Sequence, residues 1–304
     1  MSAQNRVQEK LEQLGQARKV ARAAKDFSEA DRIRDQISAL GWEIVDLTDG
    51  FTFIAKSRVS VTSKITQLKP ISYREAVITV SVIVDGFCED AADCVRSIKE
   101  FSDNSAAIVV LINGEQDLGS LVELQDDRTF LLQITAKAGW GECANALLKI
   151  APSPKLIIMD PSTRCVGDPL TMVMEAFASE KWHAVGWKGG LINIDDEWRT
   201  VSDKGPGEVD VLFSYFLAVD RAAALEAGGF NIRALYYRNA DIEFSLRLKQ
   251  AQGKLLQLDL PLKQERHHGY YDVDPTYRDI QSKKNYDRIL ERFRGKNEIL
   301  SPRR

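Results

Sequence analysis

The beginning of the chain has the hydrophobic pattern of a small helical unit. Apolar residues recur every three positions, which favours one face of a helix, at Leu11, Leu14, Ala17 and Val20. A second helix is predicted after Ser28, which with Asp31 three residues on resembles a capping box, and it ends at Gly41. Alternating residues at 42–47, a turn at 48–50 and a short apolar run at 51–54 then predict a β-hairpin.

From residue 77 the pattern changes to alternating strands and helices. Strands are predicted at 77–84, 107–112, 129–134 and 155–159, with helices at 91–101 and 142–150. The first strand is almost entirely β-branched and apolar, as a strand buried on both faces of a parallel sheet should be. The fold class predicted is therefore α/β, with a mainly parallel, doubly wound sheet. Ligands bind such sheets beyond the carboxyl ends of the strands, which here are near Val84, Ile112 and Met159.

The segment between the two patterns has no strong period and contains Pro70, so it is predicted to be a linker. The predicted divisions are a helical unit at 1–56, a linker at 57–76, an α/β domain at 77–271 and a basic helical tail at 272–304. The tail has two interpretations. Its basic residues favour attraction to anionic lipid head groups or to a lipid-linked acceptor. Alternatively, it is a solvated helix that packs on the sheet through Tyr286, Ile289, Leu290 and Phe293.

Composition restricts the class of protein and the expected compartment. The 304 residues include 41 Lys and Arg against 44 Asp and Glu, a balance that argues against a protein built to wrap nucleic acid. No apolar run approaches the roughly 18–20 residues of a membrane span, and the start has no apolar signal core. Four scattered cysteines without a Cys-x-x-Cys pair are typical of reduced thiols. We therefore expect a cytoplasmic protein, with the inner membrane face as a site of peripheral contact.

Three positions in the α/β part carry candidate chemistry. Asp160 directly follows a predicted buried strand, where a carboxylate binds a hard divalent cation or, equally, caps the following turn. Adjacent His267 and His268 cannot both point at one metal from a regular element, so at most one of them is a ligand. Asp241 and Glu243 begin a predicted helix and face different sides of it. One of these acids can therefore address a cavity while the other forms a salt bridge or a cap.

Seven motifs in order resemble family-2 glycosyltransferases of the GT-A fold, most closely the rhamnosyltransferase-like branch, over residues 77–271. The motifs are Val80-Ser81-Val82-Ile83-Val84, Ile112-Asn113-Gly114, Gly139-Trp140-Gly141 with Asn145, Met159-Asp160-Pro161-Ser162, Gly228-Gly229-Phe230, Asp241-Ile242-Glu243 and His267-His268-Gly269. The resemblance implies an inverting transfer of sugar from a nucleotide-diphosphate sugar to an acceptor hydroxyl. It leaves the acceptor open, with a lipid-linked molecule or a polysaccharide as candidates.

The same resemblance assigns roles to individual residues. The nucleotide donor would be held by Val84, Asp85, Gly86, Asn113, Gly139, Trp140 and Asn145. Mg²⁺ or Mn²⁺ would bind at Asp160 with Ser162, completed by His267 or His268, and would neutralise the leaving diphosphate. Asp241 would be the general base that takes the proton of the acceptor hydroxyl.

Departures from the family pattern support an alternative function. The family's Pro-Thr-Tyr-Asn is replaced by Asp85-Gly86-Phe87-Cys88, the metal motif has one carboxylate, and Ala240 stands where an acid is usual. The alternative is a non-catalytic, degenerate GT-A binding protein that recognises RNA or a protein partner. Nucleotidyl transfer is disfavoured because the acidic segment 85–90 would repel a triphosphate.

Residues 1–56 resemble the C-terminal end of bacterial cysteinyl-tRNA synthetases. The resemblance rests on Ala17-Arg18-Lys19, Ala24-Lys25-Asp26-Phe27, the segment 30–35, Gly41 and the segment 46–50. The catalytic His-x-Gly-His and Lys-Met-Ser-Lys motifs are absent from the sequence, so aminoacylation is excluded. RNA contact and a role in docking or oligomerisation both remain open for this unit.

Overall fold

The structure is a computed structural model that describes residues 3–47, 50–55 and 59–303. The chain divides into two compact units, Met1–Arg58 and Val59–Arg304. Two residues of the predicted hairpin turn, Thr48 and Asp49, and the predicted boundary at residue 56 lie outside the described residues. Within the described ranges, none of the helices combines the length and apolar character needed to cross a bilayer.

The first unit contains the two helices and the hairpin that the sequence predicts. Its elements are α1 (Ala3–Ala23), α2 (Phe27–Ala39), β1 (Trp42–Leu47) and β2 (Gly50–Ala55), and the two strands pair antiparallel. The helix α2 begins two residues earlier than expected, because Asp26 and not Ser28 is its N-cap and accepts the Glu29 N–H at 3.1 Å. The buried centre of the unit is formed by Leu11, Ile33 and Ile37.

The predicted apolar face of α1 is wrong in its second half. A spacing of three residues turns about 300° around a helix, so nine residues bring Val20 about 180° away from Leu11. Val20 is accordingly 68% exposed, whereas Arg18 is buried and donates to Asp46 of the hairpin at 2.6 and 3.2 Å. Gly15 also faces the hairpin, where a Cβ would lie 2.3 Å from the Phe51 ring.

The second unit is built on a nine-stranded sheet within the described residues. The sheet order is β12-β15-β9-β14-β7-β4-β5-β6-β3, in which the neighbours from β7 to β3 pair parallel. The strands of this unit are β3 (Ser60–Thr62), β4 (Ile78–Val84), β5 (Ala106–Asn113), β6 (Thr129–Ile134), β7 (Lys155–Met159), β8 (Thr163–Cys165), β9 (Ala184–Gly186), β10 (Gly189–Ile192), β11 (Val201–Ser202), β12 (Gly207–Val209), β13 (Val211–Leu212), β14 (Phe216–Asp220), β15 (Leu255–Gln257) and β16 (Leu262–Gln264). The α/β class and the mainly parallel sheet of the prediction are confirmed.

Helices cover both faces of this sheet. They are α3 (Cys88–Glu100), α4 (Trp140–Ile150), α5 (Pro169–Ala178), α6 (Arg221–Glu226), α7 (Ala240–Gln250), α8 (His268–Tyr271) and α9 (Pro275–Phe293), with short 3₁₀ helices at Ile65–Gln67, Gly119–Leu124 and Asn297–Ile299. Alternate residues of β4 enter different hydrophobic clusters. Val82 packs on the α3 side and Ile83 on the α4 side, as expected for a strand buried on both faces.

Two predicted boundaries differ from the structure. Residues 59–76 do not form a linker, since β3 pairs parallel with β6 at the sheet edge and Ile65 and Leu68 pack against the core. The segment 272–304 is not a separate tail either. Ile289 and Phe293 of α9 are buried with Trp198 and Leu246 in one cluster, which agrees with the packed-helix interpretation.

Candidate functional site

Two cavities meet at the carboxyl ends of β4 and β7, where ligands bind parallel sheets. The larger has a volume of about 750 Å³ and the smaller about 120 Å³. Four residues line both cavities, namely Asp160, Ser214, Tyr237 and His267. A ligand that reaches from one cavity into the other would therefore pass Asp160 and His267.

Asp160 caps the turn after β7 through one carboxylate oxygen and faces His267 through the other. Its Oδ1 accepts the backbone N–H and the hydroxyl of Ser162, which caps the turn that follows β7. Its Oδ2 lies 3.0 Å from Nε2 of His267. Burial alone would raise the pKa of Asp160, but the hydrogen bond and charge of His267, together with Ser162, outweigh burial and hold the pKa below its ordinary value. The carboxylate is therefore kept ionised at the junction of the cavities.

The two adjacent histidines point to different partners. His267 is buried, and its Nδ1 lies 3.5 Å from the Tyr237 hydroxyl while its Nε2 faces Asp160. His268 instead places its Nδ1 2.5 Å from Asp90 Oδ2 and stacks on the Phe87 ring. Only His267 of the pair is thus brought to Asp160, in agreement with the limit of one ligand.

The residues around Asp160 fit a divalent ion that is partly coordinated by its substrate. The described part of the chain holds no group of three His, Cys, Asp or Glu side chains placed to share a metal. One carboxylate and one imidazole remain at Asp160 and His267, while the Ser162 hydroxyl is engaged with Asp160. Mg²⁺ is commonly bound by one or two carboxylates plus substrate phosphates, so two protein ligands suffice only when a phosphate is present.

Asp241 lies at the start of α7 on the wall of the larger cavity. Its Oδ2 accepts the Ser214 N–H at 2.8 Å and the Ser214 hydroxyl at 3.1 Å, and its Oδ1 accepts the Ile242 N–H at 2.9 Å. Burial raises the pKa of Asp241, and these hydrogen bonds offset the rise only in part, so the pKa stays above its ordinary value. A carboxylate with a raised pKa is a stronger base than a solvated one.

Glu243 faces away from the cavity, as its two-residue spacing from Asp241 predicts. Its Oε1 accepts from the Asn231 amide at 2.7 Å, and its carboxylate lies 3.5 Å from both Arg247 and Arg288. Glu243 therefore joins α7 to α9 and to the loop before α7.

The seven residues expected to hold a nucleotide fall into two groups. Asp85, Gly86 and Trp140 line the smaller cavity. The other four, Val84, Asn113, Gly139 and Asn145, line neither cavity.

Those four contribute to local structure. The Asn113 side chain bonds both backbone groups of Ala138, at 2.9 and 3.0 Å, and Asn145 bonds both backbone groups of Phe230 at 2.8 Å. Gly139 is the N-cap of α4, and the Val84 carbonyl accepts from the Gln116 side chain.

Several lining residues were missed by the sequence analysis. Ser214 and Tyr215 directly precede β14 and belong to no motif, so nothing in the sequence marks them. Tyr237 and Arg238 belong to an aromatic and basic stretch before α7, whose composition was a usable signal. Asp90 lines the smaller cavity from the first turn of α3.

Solved structures with a similar fold are GT-A glycosyltransferases. The crystal structure of GalNAc-T7 with UDP, GalNAc and Mn²⁺ superposes with a TM-score of 0.54 at 14% identity, over 71% of this chain and 48% of that one. The mannosyltransferase PcManGT from Pyrobaculum calidifontis, in complex with GDP-Man and Mn²⁺, gives 0.50 at 15% identity, over 74% and 72%. The chain thus spans about half of GalNAc-T7. At these identities the likeness establishes the GT-A fold.

Sequence comparison connects the N-terminal segment to another class of protein. No protein-family model matches the chain. A cysteine–tRNA ligase of Synechococcus sp. (strain JA-2-3B'a(2-13)) is 58% identical over 43 residues, which are 14% of this chain and 8% of the ligase. The ligase of Synechococcus sp. (strain CC9605) is 61% identical over 36 residues, 12% of this chain and 7% of the ligase. The chain therefore spans less than a tenth of the length of these relatives.

Proposed function

We propose that the larger unit is a metal-dependent glycosyltransferase that moves a sugar from a nucleoside-diphosphate sugar to an acceptor hydroxyl. The observation that carries the proposal is the convergence of the Asp160–His267 pair and Asp241 on one cavity at the carboxyl edge of a GT-A sheet. The similar solved structures support it, since they were determined with UDP or GDP-Man and Mn²⁺. Membership of family 2 and of its rhamnosyltransferase-like branch is part of the proposal and rests on the sequence motifs.

The donor would lie across the junction of the two cavities. Asp85, Gly86 and Trp140 would contact the nucleoside in the smaller cavity, and Asp160 with His267 would hold the divalent ion at the diphosphate. When bound, Mg²⁺ or Mn²⁺ supplies positive charge that stabilises the departing diphosphate. Ser162 keeps the Asp160 carboxylate oriented through two hydrogen bonds to Oδ1, while Oδ2 faces Nε2 of His267, the other residue that would hold the ion.

Asp241 would act as the general base on the acceptor. Its carboxylate accepts the proton of the acceptor hydroxyl while that oxygen bonds to the anomeric carbon and the bond from this carbon to the diphosphate oxygen breaks. A single displacement from the face opposite the leaving group inverts the anomeric configuration. The hydrogen bonds from Ser214 and the Ile242 N–H fix the carboxylate against the cavity wall.

The thin set of metal ligands favours a second candidate, in which the domain binds nucleotide or partner without transferring sugar. Three of the predicted metal residues have a carboxylate or an imidazole, namely Asp160, His267 and His268. Only Asp160 and His267 lie together, because His268 contacts Asp90 instead. In this candidate the synthetase-like unit supplies contact with RNA or a protein. Binding of tRNA at physiological salt without any donor turnover would support it.

One experiment separates the two candidates. Thermal stability of the full chain is measured against UDP-, GDP- and dTDP-sugars with and without Mn²⁺, and donor hydrolysis is followed in parallel. The transferase predicts stabilisation by one donor that requires metal, together with slow hydrolysis, and loss of both in Asp160→Asn. The matched control is Asp127→Asn, because Asp127 is exposed and lines neither cavity. The transferase proposal is rejected if none of the donors stabilises the chain in a metal-dependent way.

A further inference from the structure

Two arginines of the larger cavity have no role in the proposed transfer step. Arg199 and Arg238 both line this cavity. The transfer step needs Asp160 and His267 at the metal and Asp241 at the acceptor hydroxyl. Neither arginine has a part in these roles, so each can bind a different group of a ligand.

Arg238 is a cation without a carboxylate partner among the described residues. Salt bridges there join Arg199, Arg266 and Arg278 to acids, but none includes Arg238. Its guanidinium lies 5.0 Å from the centre of the Tyr270 ring and donates to the Tyr270 hydroxyl at 3.2 Å. Most of its N–H donors therefore remain available to a ligand.

The backbone that carries Arg238 is held in place by α9. The Asn285 amide donates to the carbonyls of Tyr236 and Arg238, both at 2.8 Å. Asn239 adopts a left-handed conformation with φ of 68° and donates to the Ser282 carbonyl at 3.1 Å. Arg238 is thus presented from a fixed turn three residues before Asp241, as a binding site requires.

The acids of the same cavity are already engaged. Asp160 lies beside His267, Asp241 accepts three hydrogen bonds, and Glu265 pairs with Lys263 at 2.6 Å. The Arg199 guanidinium lies 4.0 Å from Glu197, which also contacts Arg294, and the Arg199 backbone N–H donates to Asp196 at 2.8 Å. These contacts leave Arg238 as the lining arginine without a carboxylate partner among the described residues, and its positive charge attracts anions. A guanidinium fork matches the geometry of phosphate and carboxylate groups.

Aromatic rings form a large part of the lining. The rings that are exposed or half-buried there belong to Phe213, Tyr215, Tyr237, Tyr270, Tyr271 and Tyr286. Rings with a polar edge suit a ligand that combines apolar faces with hydroxyl groups, such as a saccharide. The volume of about 750 Å³ is within the range of small-molecule sites.

We infer that the acceptor is a saccharide that carries a phosphate or carboxylate group, and that Arg238, assisted by Arg199, binds this anionic group. The inference rests on the proposed function, because an acceptor exists only if the larger unit transfers a sugar. The anionic group would anchor the acceptor at the start of α7, on the same cavity wall as Asp241.

Binding measured with the donor site filled tests this inference. The full chain is saturated with Mn²⁺ and UDP or GDP, whichever binds, and is then titrated with glucose 6-phosphate, glucuronate and glucose by calorimetry. We expect at least one of the two anionic sugars to bind about tenfold or more tightly than glucose, and the two anions to show whether phosphate or carboxylate is preferred. Arg238→Ala should weaken anion binding by about 10- to 100-fold, as loss of a charge-assisted hydrogen bond predicts, and Arg238→Lys should restore part of it.

The controls separate this inference from the proposed function. Arg233→Ala removes an exposed arginine that lines neither cavity, so it should leave all affinities unchanged. Equal affinity for glucose and both anions would overturn the inference. Weakened binding of UDP or GDP in Arg238→Ala would also overturn it, because the guanidinium would then bind the donor diphosphate. Failure of the wild-type protein to bind either nucleotide with Mn²⁺ would reject the proposed function itself, and the inference with it.

Discussion

Replacing Asp241 by Asn removes the proposed base while keeping the size of the side chain. The carboxylate accepts hydrogen bonds from Ser214 through Oδ2 and from the Ile242 N–H through Oδ1. An amide oxygen can keep the two bonds from Ser214, but the NH₂ group would then face the Ile242 N–H, and that hydrogen bond is lost. Asp241→Asn is therefore a test of chemistry at nearly constant shape.

Two opposite effects on stability follow from this geometry. Loss of one hydrogen bond costs about 1 kcal/mol. Because burial raises the pKa of Asp241 above its ordinary value, the carboxyl contributes stability that is full below the unfolded pKa and is lost as pH rises through the folded pKa. At neutral pH the neutral amide avoids this cost of ionisation, so the net change in unfolding free energy should stay within about 2 kcal/mol.

The effect on rate should be much larger than the effect on stability. A positioned general base contributes about 10²- to 10⁴-fold, which corresponds to about 3–5 kcal/mol of activation free energy. The assay follows transfer of labelled sugar, with donor affinity measured separately by thermal shift. We expect transfer to fall about 100-fold or more while donor affinity changes less than about threefold, because Asp241 does not line the smaller cavity.

Glu243→Gln is the matched control, since Glu243 is a second buried acid on the same helix. It pairs with Arg247 and Arg288 and lines neither cavity, so its loss should lower stability but keep transfer per folded molecule. The assignment of the base is refuted if Asp241→Asn retains transfer within about fivefold of the wild type. It is refuted equally if Glu243→Gln, corrected for folded protein, loses as much activity.

Other changes separate metal binding, base catalysis and folding. Asp160→Ala should abolish the binding of Mn²⁺ in the presence of nucleoside diphosphate. Free Mn²⁺ is measured by electron spin resonance during the titration, and undiminished binding would show that the ion binds elsewhere. The logarithm of kcat should rise with pH through the raised pKa of Asp241, because the base acts when ionised, and a profile that falls over this range contradicts the mechanism. Ile37→Ala should destabilise the first unit by about 2–5 kcal/mol in denaturant unfolding, since Ile37 is fully buried. Nucleotide binding should stay intact, because the proposed site lies within the second unit; weakened binding would contradict that placement.

The parts of the fold that the sequence predicts are those with strong local periodicity. The β-branched run that became β4 and the apolar run of β7 locate the carboxyl edge of the sheet, and with it Asp160. The edge strand β3 was not predicted, because three residues with mixed burial acquire their strand geometry from pairing with β6. Local pattern contains no information on such a partner.

The candidate site shows the same division. The ends of the predicted elements single out Asp160 and Asp241 as candidates. The resemblance assigns Asn113 to the nucleotide, whereas in the structure its amide bonds the backbone of Ala138. A motif gives the type of residue and its spacing, not the direction of its side chain. For the same reason His267 and His268 were equivalent in sequence, and only the contacts with Asp160 and Asp90 distinguish them.

The attachment of the Arg238 turn to α9 has a consequence for the order in which the site is completed. Asn285 follows Asp160 by about 125 positions, so at about 5–20 residues per second a ribosome needs roughly 6–25 s to travel from one to the other. A nascent chain that has just acquired β4, β5 and β7 already has the strand that Asp160, the proposed metal ligand, directly follows. It lacks both hydrogen bonds from Asn285 to the carbonyls of Tyr236 and Arg238. The proposed donor side of the site is therefore synthesised first, and the Arg238 turn on the proposed acceptor side is held in place only when one of the last helices has emerged.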